Sequence, residues 1–432
     1  MLFASLNTPT LKRQFSHAVI EGLAPDRGLY FPEELPQLPA SLWLSHNQME
    51  PWELGAQLLS SFTAPELTRD QLEHTLREVL NFPLPLYQLS ERSYILELFH
   101  GPTAAFKDVG ARFLARALNL LTDQRLTVLV ATSGDTGSAV AQGFLNVPNI
   151  DVVILYPSGR ISHIQEQQLT TVGHNVSALE VHGSFDDCQA LVKAAFLDAE
   201  LQANRPLTSA NSINIARWLP QSIYYAWATY TLKRPACFSV PSGNVGNLAA
   251  GLLAAQMGMP HQGFIAATNA NDGLARYLSG EPFEVRPSLQ TISNAMDVGD
   301  PSNRPRLEAL CGGDLDQLRA LVSGYTVSDA ETRAVMQSVY EHEGYLLCPH
   351  SAVGYAGWLR ATRARPDLAE GLGVTLATAH PAKFADVVCE ATGHTPEVPP
   401  QLQGYLEKTK NSIEIEATYT ALKSHLIESA LG

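Results

Sequence analysis

Residues 126–139 of this 432-residue chain read LTVLVATSGDTGSA: an apolar run, a turn of small and polar residues, and the start of a helical stretch. The run 126–131 predicts a strand buried on both faces, and residues 138–145 predict the helix that follows it. The same succession of apolar run, turn and helical stretch recurs along the chain. Strands that alternate with helices are typical of an α/β fold with parallel sheets.

Six further apolar runs, rich in Val, Ile and Leu, predict strands of the same kind. They are residues 94–99, 152–156, 178–181, 238–240, 264–267 and 374–377. Ligands of such sheets bind beyond the carboxyl ends of the strands. The turns that follow the strands at 94–99, 126–131 and 238–240 are therefore the first candidates for a functional site.

The composition sets limits on location and partners. With 45% hydrophobic and 17% charged residues, the chain is expected to bury an ordinary core. The 43 acidic and 29 basic residues give a net charge of −14, which disfavours nucleic acid and anionic membranes as partners. Five scattered cysteines, no signal-like N-terminus and no apolar stretch of about 18 residues predict a cytoplasmic protein without a membrane span. The histidines show no metal-ligand spacing, so no metal site is predicted.

Two regions depart from the α/β pattern. The N-terminal part reads as loops and short helices, with a helix predicted over 64–80 and a capping box formed by Thr63 and Glu66. Residues 281–328 contain four prolines and then helix-like stretches, which we interpret as an insertion. The tail after Glu397 is expected to form C-terminal helices.

The first candidate turn, HGPTAAFKD, occupies residues 100–108 and precedes a helix predicted from 106 to 118. Lys107 then lies in the first helical turn, where the helix dipole disfavours a cation and lowers the pKa of an amine. Such a lysine is a better nucleophile for Schiff-base chemistry. A solvated surface lysine is the alternative that the residues alone leave open.

The second turn, ATSGDTGSA, occupies residues 131–139. Ser133, Gly134 and Thr136 present N–H groups and hydroxyls to an anion at a helix start. Asp135 is the exception, because a carboxylate repels anions, and we expect it to accept a hydrogen bond or to cap the helix. A simple capped turn is the alternative.

The third turn, PSGNVGNLAAG, occupies residues 241–251. Gly243 and Gly246 allow positive φ angles and close backbone approach, and a helix predicted from Asn247 directs its N–H groups at the same spot. This pattern predicts a phosphate cradle. It lacks the lysine and hydroxyl of a P-loop and the spacing of G-x-G-x-x-G, which weakens the alternative of a nucleotide-binding domain.

The three turns in this order resemble those of threonine synthases, which are pyridoxal-phosphate enzymes of the tryptophan-synthase-β-like fold. The likeness extends from the N-terminus to about residue 390. The motifs that carry it are FSHAVIEGLAPDRGLYFP (15–32), HGPTAAFKD (100–108), ATSGDTG (131–137), NSINIAR (211–217), PSGNVGN (241–247), NAMDVGDPSN (294–303) and TAHPAKF (378–384).

The resemblance implies pyridoxal 5'-phosphate as the cofactor. Lys107 would hold it as a Schiff base, and Asp135 would lie near its ring oxygen. Thr378 would face the pyridine nitrogen, where a hydroxyl makes the cofactor a weaker electron sink than a carboxylate would. The cofactor phosphate would be bound by Gly243, Asn244, Val245, Gly246 and Asn247.

The resemblance also implies O-phosphohomoserine as the substrate, converted with water to L-threonine and phosphate. The candidates for binding the substrate carboxylate are Ser133, Gly134 and Thr136. The candidates for binding its phosphate are Asn211, Ser212, Asn214 and Arg217. A guanidinium suits a phosphate because it binds in two-pronged fashion; without the resemblance, a surface salt bridge would be the preferred interpretation of Arg217.

The resemblance further implies parallel-rich sheets flanked by helices in a large and a smaller domain. The N-terminal region is expected over 1–92 and a C-terminal helical tail over 391–432. The smaller domain, 125–230, is expected to move as a lid. The large cofactor-binding domain is expected over 93–124 and 231–390, with a helical insertion near 281–345. Family members are monomers or homodimers, and both states stay open.

Two rival functions remain at this stage. Another lyase of the same fold, such as a serine or threonine dehydratase, needs only the phosphate site for the cofactor, and a non-catalytic relative needs neither site. The near-motif residues His100, Arg112, His380 and Lys383 receive no assigned role. Structural hydrogen bonds are the preferred interpretation of Asn294 and Asp297.

Overall fold

Two mainly parallel sheets and one small antiparallel sheet organise the chain, of which the computed structural model describes residues 1–44 and 48–428. The strands are β1 (Leu2–Ser5), β2 (Lys12–Gln14), β3 (Tyr30–Pro32), β4 (Leu86–Gln88), β5 (Ser93–Glu97), β6 (Leu126–Ala131), β7 (Ile150–Pro157), β8 (Val176–His182), β9 (Leu207–Ser209), β10 (Cys237–Pro241), β11 (Phe264–Thr268), β12 (Val322–Thr326), β13 (Gly373–Ala377) and β14 (Ile413–Glu416).

Helices fill most of the connections between these strands. They are α1 (Phe15–Glu21), α2 (Ala40–Leu44), α3 (Pro51–Thr63), α4 (Arg69–Val79), α5 (Lys107–Leu121), α6 (Asp135–Gly143), α7 (His163–Thr170), α8 (Phe185–Leu197), α9 (Ala199–Asn204), α10 (Ile215–Trp218), α11 (Ser222–Leu232), α12 (Gly246–Gln256), α13 (Gly273–Leu278), α14 (Arg304–Leu310), α15 (Leu315–Leu321), α16 (Asp329–Glu343), α17 (Pro349–Ala364), α18 (Pro366–Ala369), α19 (Ala385–Thr392), α20 (Pro400–Leu406) and α21 (Tyr419–Glu428). Short 3-10 turns occupy Leu219–Gln221, Asn294–Met296 and Pro381–Phe384.

The larger sheet has the order β12-β11-β10-β13-β5-β4, and the smaller sheet has the order β14-β8-β7-β6-β9. All neighbours in both sheets are parallel except the edge pair β4 and β5. The antiparallel sheet β2-β1-β3 belongs to the N-terminal region. All seven strands predicted from apolar runs are present, because continuous burial selects Val, Ile and Leu on both faces of a covered strand.

The two parallel sheets are joined by the close packing of α5 on α6. Helix α5 follows β5 of the larger sheet, and α6 follows β6 of the smaller one. A Cβ atom on Gly143 of α6 would lie 3.0 Å from the carbonyl carbon of Ala111 in α5, so only a glycine allows this approach. The carboxyl ends of β5 and β6 therefore face a common space.

Seven strands were missed by the sequence interpretation, namely β1, β2, β3, β4, β9, β12 and β14, so the N-terminal part is not only loops and short helices. Two of the seven lie in regions that were predicted to be helical. The predicted helical insertion near 281–345 contains β12, which pairs with β11 as an edge of the larger sheet. The predicted helical tail 391–432 contains β14, which pairs with β8 as an edge of the smaller sheet; residues 429–432 lie outside the described residues. Both strands are partly exposed and carry Ser, Gly or Glu, so neither shows the continuous apolar pattern of a central strand.

The helix predicted over 64–80 is confirmed over Arg69–Val79, whereas its predicted start and its predicted capping box are wrong. Helix α3 ends at Thr63 and α4 begins only at Arg69, since Pro65 cannot continue a helix. Thr68 caps α4 in a capping box with Gln71. Glu66 instead accepts a hydrogen bond from the backbone N–H of Ser16.

No helix in the described part of the chain is long and apolar enough to cross a membrane.

The C-terminal helix is predicted to contribute to the stability of the smaller sheet. Leu422 of α21 is fully buried in the cluster that also holds Leu191 of α8 and Leu179 of β8. Replacing Leu422 by Ala removes buried methyl groups, and we expect a loss of about 3 kcal/mol in the free energy of unfolding by urea.

The matched control for this measurement is Ser424→Ala, at an exposed position of the same helix. It is expected to change the free energy of unfolding by less than about 0.5 kcal/mol. Equal effects of the two replacements would contradict the packing of α21 described above.

Candidate active site

The three predicted turns meet at one cavity of about 830 Å³. The first connects β5 to α5, the second connects β6 to α6, and the third connects β10 to α12. The cavity therefore lies at the carboxyl ends of strands from both parallel sheets, where such folds bind ligands. The predicted site residues among those that line it are Lys107, Ser133, Asp135, Thr136, Asn211, Ser212, Arg217, Gly243, Asn244, Val245, Gly246, Asn247 and Thr378.

Lys107 is the first residue of α5, as the helix-start prediction required. The preceding residue, Phe106, fixes its position from two sides. The backbone N–H of Phe106 donates to the carbonyl of Thr378 at 2.9 Å, and its carbonyl accepts from the Tyr224 hydroxyl at 2.5 Å. Lys107 is thus held at the cavity wall between α11 and the end of β13.

The surroundings of Lys107 favour its neutral amine. Desolvation lowers the pKa of Lys107 to about 8, and the nearby cations Arg217 and Lys383 act in the same direction against the attraction of Asp135. At pH 7 roughly a tenth of the Lys107 side chains are then uncharged, far more than for an ordinary lysine. An uncharged amine is the form that attacks a carbonyl group.

Asp135 is buried and ionised. Its Oδ1 accepts from Lys383 Nζ at 2.7 Å and from Gln165 Nε2 at 2.9 Å. Burial alone would raise the pKa of Asp135, but the ammonium groups of Lys383 and Lys107 outweigh it and hold the pKa below its ordinary range. The predicted acceptor role of Asp135 is confirmed; the alternative of a cap is wrong, since Gly134 is the N-cap and Asp135 begins α6.

The third turn forms a cradle, but the residue with a positive φ angle is not one of the two glycines for which it was expected. Val245 has the left-handed conformation, with φ of 51°, whereas Gly243 and Gly246 do not have positive φ. The glycines are needed for close approach, since a Cβ on Gly243 would lie 2.9 Å from the Cα of Met296. A β-branched residue with positive φ is strained, and such strain is concentrated at functional sites.

The start of α12 offers free donors to a ligand. Asn247 is buried, and its Oδ1 accepts from the Tyr225 hydroxyl at 2.9 Å, while its Nδ2 has no partner among the described residues. Asn244 Oδ1 accepts from the Ser302 hydroxyl at 3.1 Å, which ties the cradle to the segment after the 3-10 turn Asn294–Met296. A helix N-terminus with an unpaired amide donor fits an oxygen-rich anion.

Arg217 is a buried cation on another wall of the cavity. Its Nη1 donates to the carbonyl of Ala210, its Nε has no partner, and no carboxylate pairs with it in the described part of the chain. Burial lowers the pKa of Arg217 to about 10, so the guanidinium stays charged at neutral pH. The alternative of a surface salt bridge is excluded, and an uncompensated buried cation favours an anionic ligand.

Ser212 and Asn211 lie beside this guanidinium. The Oδ1 of Asn211 is buried without a partner, and Ser212 Oγ accepts from Asn303 Nδ2 at 3.2 Å. The backbone carbonyls of Ser212 and Ile213 accept from the buried Arg306, which fixes the segment.

Two predicted substrate contacts are wrong on geometric grounds. Asn214 does not line the cavity, because its side chain caps α10 and donates to the carbonyls of Val19 and Ser209. Gly134 does not line it either, because its N–H donates to the Thr132 hydroxyl at 2.9 Å.

Sequence reasoning missed His350, which lies at the start of α17 and lines the cavity. Its Nε2 accepts from the N–H of Ala295 at 3.2 Å, and its buried Nδ1 has no partner among the described residues. Burial lowers the pKa of His350 to about 4, so the ring is neutral, and because Nε2 accepts a hydrogen bond the proton lies on Nδ1. No motif in the sequence signals this role.

Most of the near-motif residues have structural roles. Arg112 donates to the carbonyls of Glu78 and Val79, and His380 caps the turn Pro381–Phe384. His100 pairs with Glu97 at 2.7 Å.

The segment before Pro301 is also held by structural hydrogen bonds. Asp297 accepts from Thr291, Asn269 and Asn271, which confirms the expected role of that carboxylate. Asn294 differs, because its buried Oδ1 has no partner among the described residues.

The fold and the cavity define a pyridoxal-phosphate-dependent lyase, and comparison with known proteins agrees. A family model described as "Pyridoxal-phosphate dependent enzyme" matches residues 80–378. Models described as "Threonine synthase N terminus" and "Threonine synthase, C-terminal" match residues 3–79 and 351–426. The chain belongs to the threonine synthase family, whose cofactor is pyridoxal phosphate.

Similar proteins cover the chain along nearly its whole length. The threonine synthase of Haemophilus influenzae is 41% identical over 98% of this chain and 99% of its own. The crystal structure of the Escherichia coli threonine synthase has 40% identity and a TM-score of 0.92, over 99% of this chain and 100% of that one. The threonine synthase of Brucella melitensis, solved with pyridoxal phosphate bound, has 36% identity and a TM-score of 0.92 with full coverage of both chains.

The cavity fits this cofactor. The donors at the start of α12 suit its phosphate, and Lys107, whose pKa is lowered to about 8, suits its aldehyde. The cavity volume of about 830 Å³ leaves room for a substrate beside it.

The cradle geometry predicts a strong effect of Gly243→Ala. The added methyl group would lie 2.9 Å from the backbone of Met296, so the loop must shift away from the anion. We expect the Kd for pyridoxal phosphate, measured by fluorescence titration, to rise at least about tenfold.

Gly404→Ala is the matched control, because nothing lies within 4 Å of the added Cβ atom in α20. Its Kd is expected to equal that of the parent protein. A Gly243→Ala variant with parental affinity would show that the loop does not hold the cofactor.

Proposed function

We propose that this protein converts O-phosphohomoserine and water to L-threonine and phosphate, with pyridoxal phosphate bound at Lys107. The observation that carries the proposal is the presence of two separate anion-binding sets in one cavity. The cradle Gly243–Asn247 provides one set, and Arg217 with Asn211 and Ser212 provides the other. A reaction of a phosphorylated substrate on a phosphorylated cofactor requires both.

The residues proposed to hold the cofactor come from four segments of the chain. The cradle would bind the cofactor phosphate, and Lys107 would bind the aldehyde carbon. Asp135 would lie near the ring oxygen of the cofactor, and Thr378 would lie near its pyridine nitrogen. When bound, pyridoxal phosphate delocalises the negative charge that develops when a proton leaves the substrate Cα.

Lys107 is proposed to move the protons of the reaction. Its Nζ would accept the proton from the substrate Cα and then exchange protons at Cβ, which requires an amine with a pKa near neutrality. Desolvation in this cavity lowers the pKa of Lys107 to about 8, which supports that role.

Arg217 is proposed to bind the phosphate group that leaves from Cγ of the substrate. Its guanidinium has no carboxylate partner in the described part of the chain, so its charge is available to a phosphate. Ser133 and Thr136, at the start of α6, are proposed to bind the substrate carboxylate. A dehydratase-like lyase of the same fold would have no use for the second anion site.

Closure of the cavity is proposed to exclude water other than the reacting molecule. The cavity wall contains residues of both parallel sheets, so a shift of the smaller sheet toward the larger one would narrow it. The predicted mobile unit 125–230 would carry β14 and α21 with it, since β14 pairs with β8.

A cytoplasmic location and a monomeric or homodimeric state are proposed as well. The five cysteines are all free, and four of them are buried. This usage favours a reducing compartment.

Removal of the Lys107 amine tests the reaction. Purified parent protein is expected to release phosphate and threonine from O-phosphohomoserine in equal amounts. Lys107→Ala is expected to lower the rate at least about a thousandfold, because the proton carrier is lost. Phosphate is measured colorimetrically and threonine by chromatography.

Lys408→Ala, at an exposed position after α20, serves as the control and is expected to keep the parental rate. Phosphate release without threonine would contradict the proposed product, and turnover by Lys107→Ala would contradict the assigned lysine.

Loss of the Arg217 guanidinium tests the second anion site. Arg217→Ala is expected to raise KM for O-phosphohomoserine about a hundredfold, because two charge-assisted hydrogen bonds are lost. The colour of the bound cofactor should persist. Arg217→Lys keeps the charge without the two-pronged geometry and should give an intermediate KM.

Arg333→Ala, which removes an exposed arginine paired with Glu390, is the control and should leave KM unchanged. An unchanged KM in Arg217→Ala would remove Arg217 from the substrate site.

A further inference from the structure

A second lysine lies directly behind the cavity wall. Lys383 is fully buried and does not line the cavity. Its Nζ donates to Asp135 Oδ1 at 2.7 Å and to the carbonyl of Thr103 at 2.9 Å. Lys383 therefore contacts the site only through the carboxylate that also faces Lys107.

The chain holds this ammonium group rigidly. Lys383 belongs to the 3-10 turn Pro381–Phe384, which the side chain of His380 caps. Thr103 is fixed in turn, because its N–H and hydroxyl donate to Asp108 at 2.9 and 2.6 Å. The Nζ of Lys383 is thus held in a fixed position next to Asp135.

The sum of the charges on Lys107, Asp135 and Lys383 shows how the ion pair affects the proton of Lys107. With Lys107 protonated, the three groups Lys107, Asp135 and Lys383 carry a net charge of plus one, and loss of the Lys107 proton leaves a neutral ion pair. Without Lys383, the same loss would leave a lone buried carboxylate. An unpaired charge in a buried site is costly, so Lys107 would retain its proton to higher pH.

We propose that Lys383 is a positioning residue that neutralises Asp135 and so allows Lys107 to give up its proton. The proposal rests on the proposed function of Lys107 as the cofactor lysine and goes beyond it, because it explains how a carboxylate can stand beside that amine without trapping its proton.

Other titratable groups face Lys107, but none of those described below neutralises the charge of Asp135. Arg217 is a cation on α10 that opposes protonation of Lys107. His350 on α17 is neutral, because burial lowers its pKa to about 4. Tyr224 is also neutral, since burial raises its pKa well above the ordinary value. Asp108 is engaged with Thr103. Asp135 is thus the carboxylate whose charge acts on Lys107, and Lys383 is its ion-pair partner.

The test measures the pH dependence of covalent capture at Lys107. Full-length protein stripped of cofactor is mixed with pyridoxal phosphate over a series of pH values. Borohydride then traps the product at early times, and the pyridoxylated Lys107 peptide is quantified by mass spectrometry. Ionisations of free pyridoxal phosphate are common to all variants, so differences between midpoints report on the protein.

The two single variants, at Lys383 and at Asp135, are expected to move the midpoint of the pH dependence of Lys107 labelling in opposite directions. Lys383→Met should raise it by about one pH unit, because the proton of Lys107 then balances Asp135 alone. Asp135→Asn should lower it by about one unit, because two lysines then face each other without a carboxylate. The double variant restores the charge balance and should lie between the two. A residue that merely supports the fold would not produce opposite shifts.

Gln168→Met is the matched control, since Gln168 Nε2 donates to the same Thr103 carbonyl at 3.0 Å without a charge. Its midpoint is expected to equal that of the parent. If Lys383→Met does not fold, the double variant is compared with Asp135→Asn, and removal of Lys383 must again raise the midpoint.

The outcomes separate the two proposals. No labelled Lys107 in the parent protein would overturn the proposed function. Labelled parent protein with no rise in the midpoint on removal of Lys383 would overturn the role of Lys383 alone.

Discussion

The buried ion pair between Asp135 and Lys383 joins the two parallel sheets at the cavity. Asp135 begins α6 directly after the smaller sheet's strand β6, and Lys383 follows strand β13 of the larger sheet. Both side chains are withdrawn from solvent, and removing either one would leave the other without its ion-pair partner. Because Asp135 lines the cavity, this contact fixes the part of the wall whose charge acts on Lys107.

The fold was largely predictable because its central strands obey a strong constraint. A parallel strand covered by helices on both faces is buried throughout and therefore mostly apolar, and β6 is buried at all six residues, five of them apolar. The edge strands β12 and β14 need not be apolar throughout, since one side of each is open. Their Ser, Gly and Glu residues interrupt the apolar pattern from which a buried strand is predicted. Tertiary pairing with β11 and β8 determines those two strands.

The candidate site was predictable where one turn carries its own chemistry, and less so where distant segments combine. The helix start made Lys107 a candidate, and the resemblance to threonine synthase motifs favoured it over a surface lysine. Asn214 has the residue type of a ligand, but its side chain is used by the backbone around it. His350 and Lys383 acquire their importance from partners far away in the sequence, and the strain at Val245 depends on the loop that packs above it.

The place of β14 in the smaller sheet has a consequence for synthesis of the chain. This strand covers the edge of β8, yet the ribosome produces it long after residues 176–182 of β8. While the ribosomal tunnel still encloses residues 413–416, the backbone groups along that edge of β8 have no partner strand. The nascent protein therefore exposes an open sheet edge, a surface prone to association with other chains, until β14 has left the tunnel.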